Sequence, residues 1–331
     1  MTVIHTVTLN IDKEATKSFE CSERESILHA GLRAGLPMRY KCTNGTCGEC
    51  RSRLINGRLQ RLQPADSPLS QLERESGWFL SCTHTPKTTL EINAPLFTDS
   101  VQIPHQTVHA KVKKIEQLQP GLAQLILRTP RSNTFQFLAG QDVVLSHLSA
   151  EHRYPIASCP CNGMELEFHI HQRAHDRFSQ LLFSSLKRGE RITINGPRGH
   201  FLLDERSNRH LIFIAWERGF APIRSLIDHF ISLEMDNPVS LYRVSSERPY
   251  LHNHAKSWHA VLEQFDYQWI KSKTDGSTRQ LITQLTNPPQ RNLSLSSADF
   301  YIAAPAEQLI ELSEQLITLG IDESKLHGSP L

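Results

Sequence analysis

The period of hydrophobic and polar positions changes twice along the chain. Residues 3–12 (VIHTVTLNID) alternate apolar with polar and Thr16 to Phe19 repeats the alternation, which predicts a hairpin with one buried face. In RESILHAGLRA (24–34) the period lengthens, placing Ile27, Leu28 and Leu32 on one helical face, and Leu90 to Ile92 offers a strand to close the sheet. Residues 93–108 (NAPLFTDSVQIPHQTV) contain prolines and show no period, as a linker should. From His109 the segments HAKVKKIEQLQPGLAQLILRT, FLAGQDVVLS, LEFHIHQ and ERITINGPRGHF read as short strands between Gly and Pro turns, the pattern of an antiparallel barrel. After Asp204, strands LIFIA (211–215), VSLYRV (239–244) and DFYIAAP (299–305) alternate with helices. One helix begins at Ala221 with Pro222 in its first turn and Ile223, Leu226, Ile227 and Phe230 on one face; another, AEQLIELSEQLITLG, ends at Gly320.

Length and composition narrow the classes. A chain of 331 residues exceeds one compact core, so two or three domains are expected. Hydrophobic residues at 39% and charged residues at 21% describe a globular protein, and no stretch approaches the ~18 apolar residues of a membrane span. Membrane insertion is not expected. The N-terminal residues alternate like a strand and lack a signal peptide's basic and apolar regions, which leads us to expect a cytoplasmic protein. A net charge of +2, a pI near 8.2 and scattered basic residues argue against nucleic acid as a partner. Seven cysteines in a reducing compartment are metal ligands, reactive thiols or small buried residues before they are disulfides.

Their spacing selects the first. Cys42, Cys47 and Cys50 form C-x4-C-x2-C in CTNGTCGEC, and Cys82 follows after 31 residues in WFLSCTHTP, the plant-type [2Fe-2S] spacing. Two sulfide-bridged irons need four thiolates; a curled loop can supply three and a distant strand the fourth. Gly45 and Gly48 lie where that loop must curl and let backbone N–H groups approach the sulfurs. Structural zinc would show two C-x2-C knuckles, whereas this chain has one. Cys21, Cys159 and Cys161 fall outside the motif and are read as structural. With the hairpin and helix before it, the unit has a β-grasp pattern. The expected fold is multi-domain, α+β and α/β: a β-grasp domain over residues 1–95, a linker over 96–107, an antiparallel β-barrel over 108–204 and a parallel-sheet α/β domain over 205–331.

The first 95 residues, with CGEC and LSCTHTP, resemble the plant-type ferredoxins. FLAGQ in the barrel and GPRGHF at its close resemble the ferredoxin-NADP reductase superfamily. Together the chain looks like the reductase components of bacterial oxygenases, such as those of phenol hydroxylase or methane monooxygenase. That resemblance implies hydride from NAD(P)H, an FAD that splits it into single electrons, a [2Fe-2S] cluster that delivers them, and an oxygenase or similar redox protein as partner.

Scaffold positions of the superfamily are present: Gly140, Gln141, Gly196, Pro197, Gly199, Phe201, Ala221 and Pro222. Ligand positions differ. Against R-x-Y-S-x-A-S the chain has His152, Arg153, Tyr154, Pro155, Ile156, Ala157 and Ser158, so the resemblance assigns Tyr154 and Ser158 to FAD while the diphosphate arginine has become His152. Arg153 is the nearby substitute. Against arginine and a Gly-Gly turn before x-x-S stand His171 and Ala174-His175-Asp176 ahead of Ser179, the third FAD residue. Against A-G-G-T-G stands Ala215-Trp216-Glu217-Arg218-Gly219, in which Trp216 fills space and Glu217 offers its own carboxylate to the helix dipole. Ala303-Ala304-Pro305 replaces C-G-P, and HGSPL lacks the aromatic that shields the flavin. These departures leave FAD open and count against NAD(P)H.

Among the seventeen histidines, period 2 places His169 and His171 on one strand face without an identifiable carboxylate partner, which suggests the barrel rim. Those of YLHNHAKSWHA are expected near solvent or at a partner contact. The expected function is one-electron transfer with exit through an exposed loop at Thr43 to Thr46. The alternatives are an assembly subunit that keeps the reductase fold and an active NAD(P)H reductase with an atypical loop.

Overall fold

The computed structural model describes residues 3–12, 15–64, 68–97, 103–260, 262–272, 277–286 and 295–331. Alternation in β1 (Ile4–Asp12) sends Val7 and Leu9 inward, and β1 pairs antiparallel with β2 (Ala15–Ser22). The first helix, α1 (Ile27–Arg33), starts three residues later than the apolar period predicts, because Ser26 caps it by accepting the His29 N–H (3.2 Å). It buries Ile27, Leu28 and Leu32. Then come β3 (Arg51–Asn56), β4 (Leu59–Arg61), α2 (Gln71–Glu75), β5 (Trp78–Leu80), β6 (His84–Pro86) and β7 (Leu90–Asn93). Five strands make a mixed sheet in the order β2-β1-β7-β3-β5, with β7 parallel to β1, while β4 pairs separately with β6.

Leu96 bridges Met38, residues 98–102 of the expected linker lie outside the described residues, and the next strand begins inside that stretch. This strand, β8 (Gln106–Gln119), opens a six-stranded antiparallel sheet with β9 (Leu122–Arg128), β10 (Asp142–His147), β11 (Ala150–Pro155), β12 (Glu165–His171) and β13 (Arg191–Arg198), in the order β11-β10-β13-β8-β9-β12. It curls as a half-barrel around Leu125, Phe135, Leu145, Phe168 and Ile194, and its edges meet where the Ala157 N–H reaches the Glu167 carbonyl (2.8 Å). One end is covered by α2's successor, α3 (Arg177–Ser184).

Parallel strands follow: β14 (His210–Trp216), α4 (Phe220–Ser232), β15 (Val239–Ser245), α5 (His252–His259), β16 (Phe265–Lys271), α6 (Ser277–Thr286), β17 (Ala298–Ala304), α7 (Ala306–Thr318) and β18 (Leu326–Pro330), in the order β16-β15-β14-β17-β18. Both faces are covered, so consecutive residues enter different cores: Leu211 and Phe213 face α4, Ile212 and Ile214 face α7. That is why LIFIA reads as a continuous apolar run.

The three sheets are joined by backbone-directed polar contacts. Thr43 N–H donates to the Arg131 carbonyl (2.8 Å) and Thr134 N–H to the Lys41 carbonyl (3.1 Å), tying the first sheet to the second. Ser225 on α4 accepts from the Gly140 N–H (3.3 Å) and donates to the Ser158 carbonyl (2.7 Å), tying the second to the third. Gly140 has φ +86°, and a Cβ there would overlap the Phe201 carbonyl oxygen and press on Leu226. Gly140→Ala should therefore lower unfolding stability by about 2–4 kcal/mol, seen as an earlier thermal transition.

Candidate iron-sulfur and nucleotide sites

The loop between α1 and β3 carries three of the four motif cysteines, and the fourth follows β5. Antiparallel pairing of Arg51 with Leu80 sets Cys50 and Cys82 side by side at the same end of the sheet. Gly45 (φ +84°) and Gly48 (φ +83°) curl the loop. Curling aims donors at sulfur: Cys47 N–H at Cys42 Sγ (3.4 Å), the Thr46 hydroxyl at the same atom (3.7 Å), and Glu49 N–H at Cys47 Sγ (3.5 Å). Ser81 donates its hydroxyl to the Cys50 carbonyl (3.0 Å), and the Leu28 N–H of α1 reaches the Ser81 carbonyl (3.0 Å). The Gln63 side-chain amide clamps both segments, donating to the carbonyls of Thr43 (2.9 Å) and Cys82 (3.1 Å). Gln63 carries no signal in the sequence, since any amide at a loop could do this.

All four thiols meet. Cys42 contacts Cys47 and Cys82, and Cys82 contacts Cys50; Cys42, Cys50 and Cys82 are buried and Cys47 is half-buried. Hydrogen bonds from Cys47 and Cys82 pull the Cys42 thiol well below its ordinary range, and the donating Cys47 and Cys82 rise accordingly. No three His, Cys, Asp or Glu side chains among the described residues are arranged to hold a metal ion on their own. Two adjacent thiol pairs, Cys42 with Cys47 and Cys50 with Cys82, instead suit a sulfide-bridged pair of irons, each needing two thiolates. The donor set fits a [2Fe-2S] group.

The loop is exposed only in part: Thr46 reaches solvent, but the Thr43 end does not. Thr43 is buried, with its hydroxyl on the Arg131 carbonyl (3.3 Å) and near Met164 Sδ (3.8 Å), because the half-barrel packs against this side. The open side is Thr46, Cys47 and Glu49. Cys47 and Glu49 border a cavity of about 900 Å³ with Arg39, Arg51, Trp78 and Glu91.

Tyr154 lies one residue before the end of the half-barrel's edge strand, packed between His152 and Phe178 with its hydroxyl on Asp176. Burial, then the Asp176 carboxylate, pushes its phenol far up. Asp176 caps α3 by accepting the Ser179 N–H (3.0 Å) and lies 3.8 Å from His152. The other two residues assigned to FAD by resemblance serve the backbone: Ser158 accepts the Glu167 N–H (3.1 Å), and fully buried Ser179 donates to the Asp176 carbonyl (2.8 Å). Arg153 is taken by Asp142 in a two-pronged pair (2.6 Å for one prong).

In the loop from β14 to α4, Trp216 is buried in the core beside Tyr242, Val244 and Ile302. Glu217 adopts φ +46°, and its carboxylate accepts the Ser246 N–H (2.9 Å) instead of facing the helix. Gly219 is retained because a Cβ would collide with the Ala303 carbonyl. The helix starts there without a side-chain cap.

Residues 10–87 match the 2Fe-2S iron-sulfur cluster binding domain, and residues 109–202 the oxidoreductase FAD-binding domain. The alkene monooxygenase ferredoxin–NAD(+) reductase component of Xanthobacter autotrophicus is 31% identical over 228 residues, 68% of this chain and 69% of its own length. The chain belongs to this family of ferredoxin-fused reductase components. The toluate 1,2-dioxygenase electron transfer component of Pseudomonas putida, 24% identical, aligns over 98% of this chain and 97% of itself. A CDP-6-deoxy-L-threo-D-glycero-4-hexulose-3-dehydrase reductase of Yersinia pestis is 29% identical over 68% of this chain and 67% of its own length. By fold, the Amycolatopsis cytochrome P450 reductase superposes with a TM-score of 0.61 at 20% identity, covering 98% of each chain. The fold is accordingly ferredoxin-reductase-like, an antiparallel half-barrel followed by a parallel sheet.

In this reductase component His169 is not at a rim. It is buried between β12 and α4, with Nε2–H donating to Glu167 (2.9 Å) and Nδ1 3.2 Å from the Tyr250 hydroxyl. Burial would raise Glu167, but hydrogen bonding from His169 and the Arg224 charge hold it down at about 2. Period 2 places Glu167 on the same strand face as His169, so the carboxylate partner was within reach of sequence reasoning; the cover given to that face by Arg224 and Tyr250 was not. Of the YLHNHAKSWHA histidines, His252, His254 and His259 fall on α5 around buried Trp258. No helix among the described residues is long and apolar enough to cross a membrane.

Burial, then the charges of Arg218 and Arg173, pushes His171 from 6.5 down to about 3. The fold favours the neutral ring, so this contribution is whole above pH 6.5 and is lost as pH falls toward about 3. Between pH 7 and 5 the wild type should lose about 1–2 kcal/mol more than His171→Gln, measured by urea unfolding at both pH values.

Proposed function

We propose that this protein passes single electrons through a [2Fe-2S] cluster ligated by Cys42, Cys47, Cys50 and Cys82 to an oxygenase or similar acceptor. The observation that carries the reading is the meeting of two thiol pairs at a point with one side against the half-barrel and the other open to a cavity. A bound cluster supplies reversible one-electron chemistry. The chain's own residues stabilise negative charge on sulfur through the N–H groups of Cys47 and Glu49, exclude water by burying three thiols, and fix the spacing through Gln63. Exchange with a partner is then at the Cys47 side, in place of Thr43.

The finer architecture proposed is a β-grasp domain over residues 1–95, a linker over 96–107 whose last two residues already belong to β8, an FAD-type barrel over 108–204 with Tyr154 at the flavin, and an NAD(P)-type domain over 205–331. None of the seven cysteines is in a disulfide, which suits a reducing cytoplasm. A second reading, an assembly subunit without nucleotide, is favoured by buried Trp216 and by Glu217 turned to Ser246.

Purified protein should contain about two irons and two acid-labile sulfides and, once reduced chemically, should reduce cytochrome c. Colourless protein without labile sulfide would sink the assignment. Gln63→Leu should leave the cluster formed but severalfold more labile to chelator, reflecting about 1–2 kcal/mol of lost clamp, timed by bleaching of visible absorbance.

A further inference from the structure

Three cysteines lie outside the cluster motif, and their surroundings divide them. Cys21 is fully buried, its sulfur on the carbonyls of Ser22 and Glu25 (3.6 Å each), and burial pushes its thiol up to about 12. Such a thiol is inert. Cys159 and Cys161 instead flank Pro160 at the start of a 3-10 turn (Pro160–Asn162) between β11 and β12. Residues two apart are never more than about 7 Å from Cα to Cα, and a turn brings them within the roughly 4.4–6.8 Å that a disulfide needs. Here the Cys161 N–H already donates to Cys159 Sγ (3.3 Å). Both ends of the turn are fixed: Pro160 locks its own φ, and Gly163 closes the turn where a Cβ would overlap the Tyr40 hydroxyl and press on the Phe135 carbonyl. The turn packs against α1 and α4, and Cys159 donates to Ser232 Oγ (3.8 Å) on α4. Cys161 is the half-buried member and borders, with Tyr40 and His229, a cavity of about 20 Å³, room for a molecule about the size of water. Hydrogen bonding from Cys159 holds the Cys161 thiol below its ordinary range against the opposing effect of burial, and the donating Cys159 rises.

One accessible sulfur with a buried second sulfur beside it is the arrangement that oxidises and then resolves. We propose that Cys159 and Cys161 are a reversible dithiol that hydrogen peroxide converts to a disulfide, a two-electron switch at the seam where the three sheets meet. The Cys161 thiolate attacks one peroxide oxygen, the O–O bond breaks, and Cys161 becomes a sulfenic acid as hydroxide leaves with the proton the thiol gave up. The Cys159 sulfur then attacks Cys161, forming the S–S bond, and the sulfenic hydroxyl departs with the Cys159 proton as water. Two thiols and one peroxide give one disulfide and two waters. Ser232 loses its Cys159 donor, so the contact with α4 registers the change. The switch is independent of the electron-transfer reading.

Full-length protein holding its cluster is treated with graded hydrogen peroxide, denatured, alkylated and digested with trypsin. Cleavage after Arg153 and Arg173 releases residues 154–173, a peptide with Cys159 and Cys161 and no other cysteine. This peptide should pass to an unalkylated form lighter by two hydrogens, at least about tenfold faster than Cys21 is oxidised, and dithiothreitol should reverse the change. Cys159→Ser should stop at a Cys161 sulfenic acid that dimedone traps, whereas Cys161→Ser should give no dimedone adduct at Cys159. The first comparison uses the wild type and does not depend on either variant folding. Oxidation of the peptide no faster than that of Cys21, or a Cys159→Ser protein that takes no dimedone at Cys161, overturns the switch. Visible absorbance in the same samples reports the cluster separately, so a colourless protein with a working switch sinks only the electron-transfer reading.

Discussion

Thiolates repel one another, so four cysteine sulfurs drawn from two segments stay together only where the backbone leaves them no alternative. Here the restraint comes from the register of β3 against β5, from left-handed glycines at 45 and 48, and from a glutamine amide bonded to both segments. Helix α1 adds its weight through Leu28 on the Ser81 carbonyl. Much of the first sheet is best understood as the frame for this meeting point.

That frame is oriented by its neighbour. Thr43 and Lys41 exchange backbone hydrogen bonds with Arg131 and Thr134, so one face of the thiol loop is pressed to the half-barrel and the opposite face, at Cys47, stays accessible. Electron transfer falls steeply with distance, and an arrangement with one inner and one outer face separates a side for donors within the chain from a side for acceptors outside it.

Helix α4 is where the second and third sheets become one body. Its Ser225 bridges Gly140 and Ser158, its Arg224 pairs with Glu167 on β12 and lies 3.4 Å from Asp228, and burial pushes Asp228 up to about 6. The helix start has been rebuilt: bulk at Trp216 goes into the core, and the Glu217 carboxylate goes to Ser246. Residues that keep the sheets packed retain their roles while those that greet a nucleotide have new ones.

The cysteine spacing and the change of hydrophobic period were local signals, and they determined the four-thiol loop, the three sheets and their order along the chain. A period of two or a C-x4-C-x2-C run reports on neighbours in sequence, which is why α1 was visible apart from its capped start at Ser26. Only the tertiary structure decided that Thr43 is buried, that His169 meets Tyr250, and that Gln63 spans two segments. Each of those is a contact between residues far apart in the chain or on opposite sides of a seam, and its existence depends on how whole sheets dock, a property no single segment encodes.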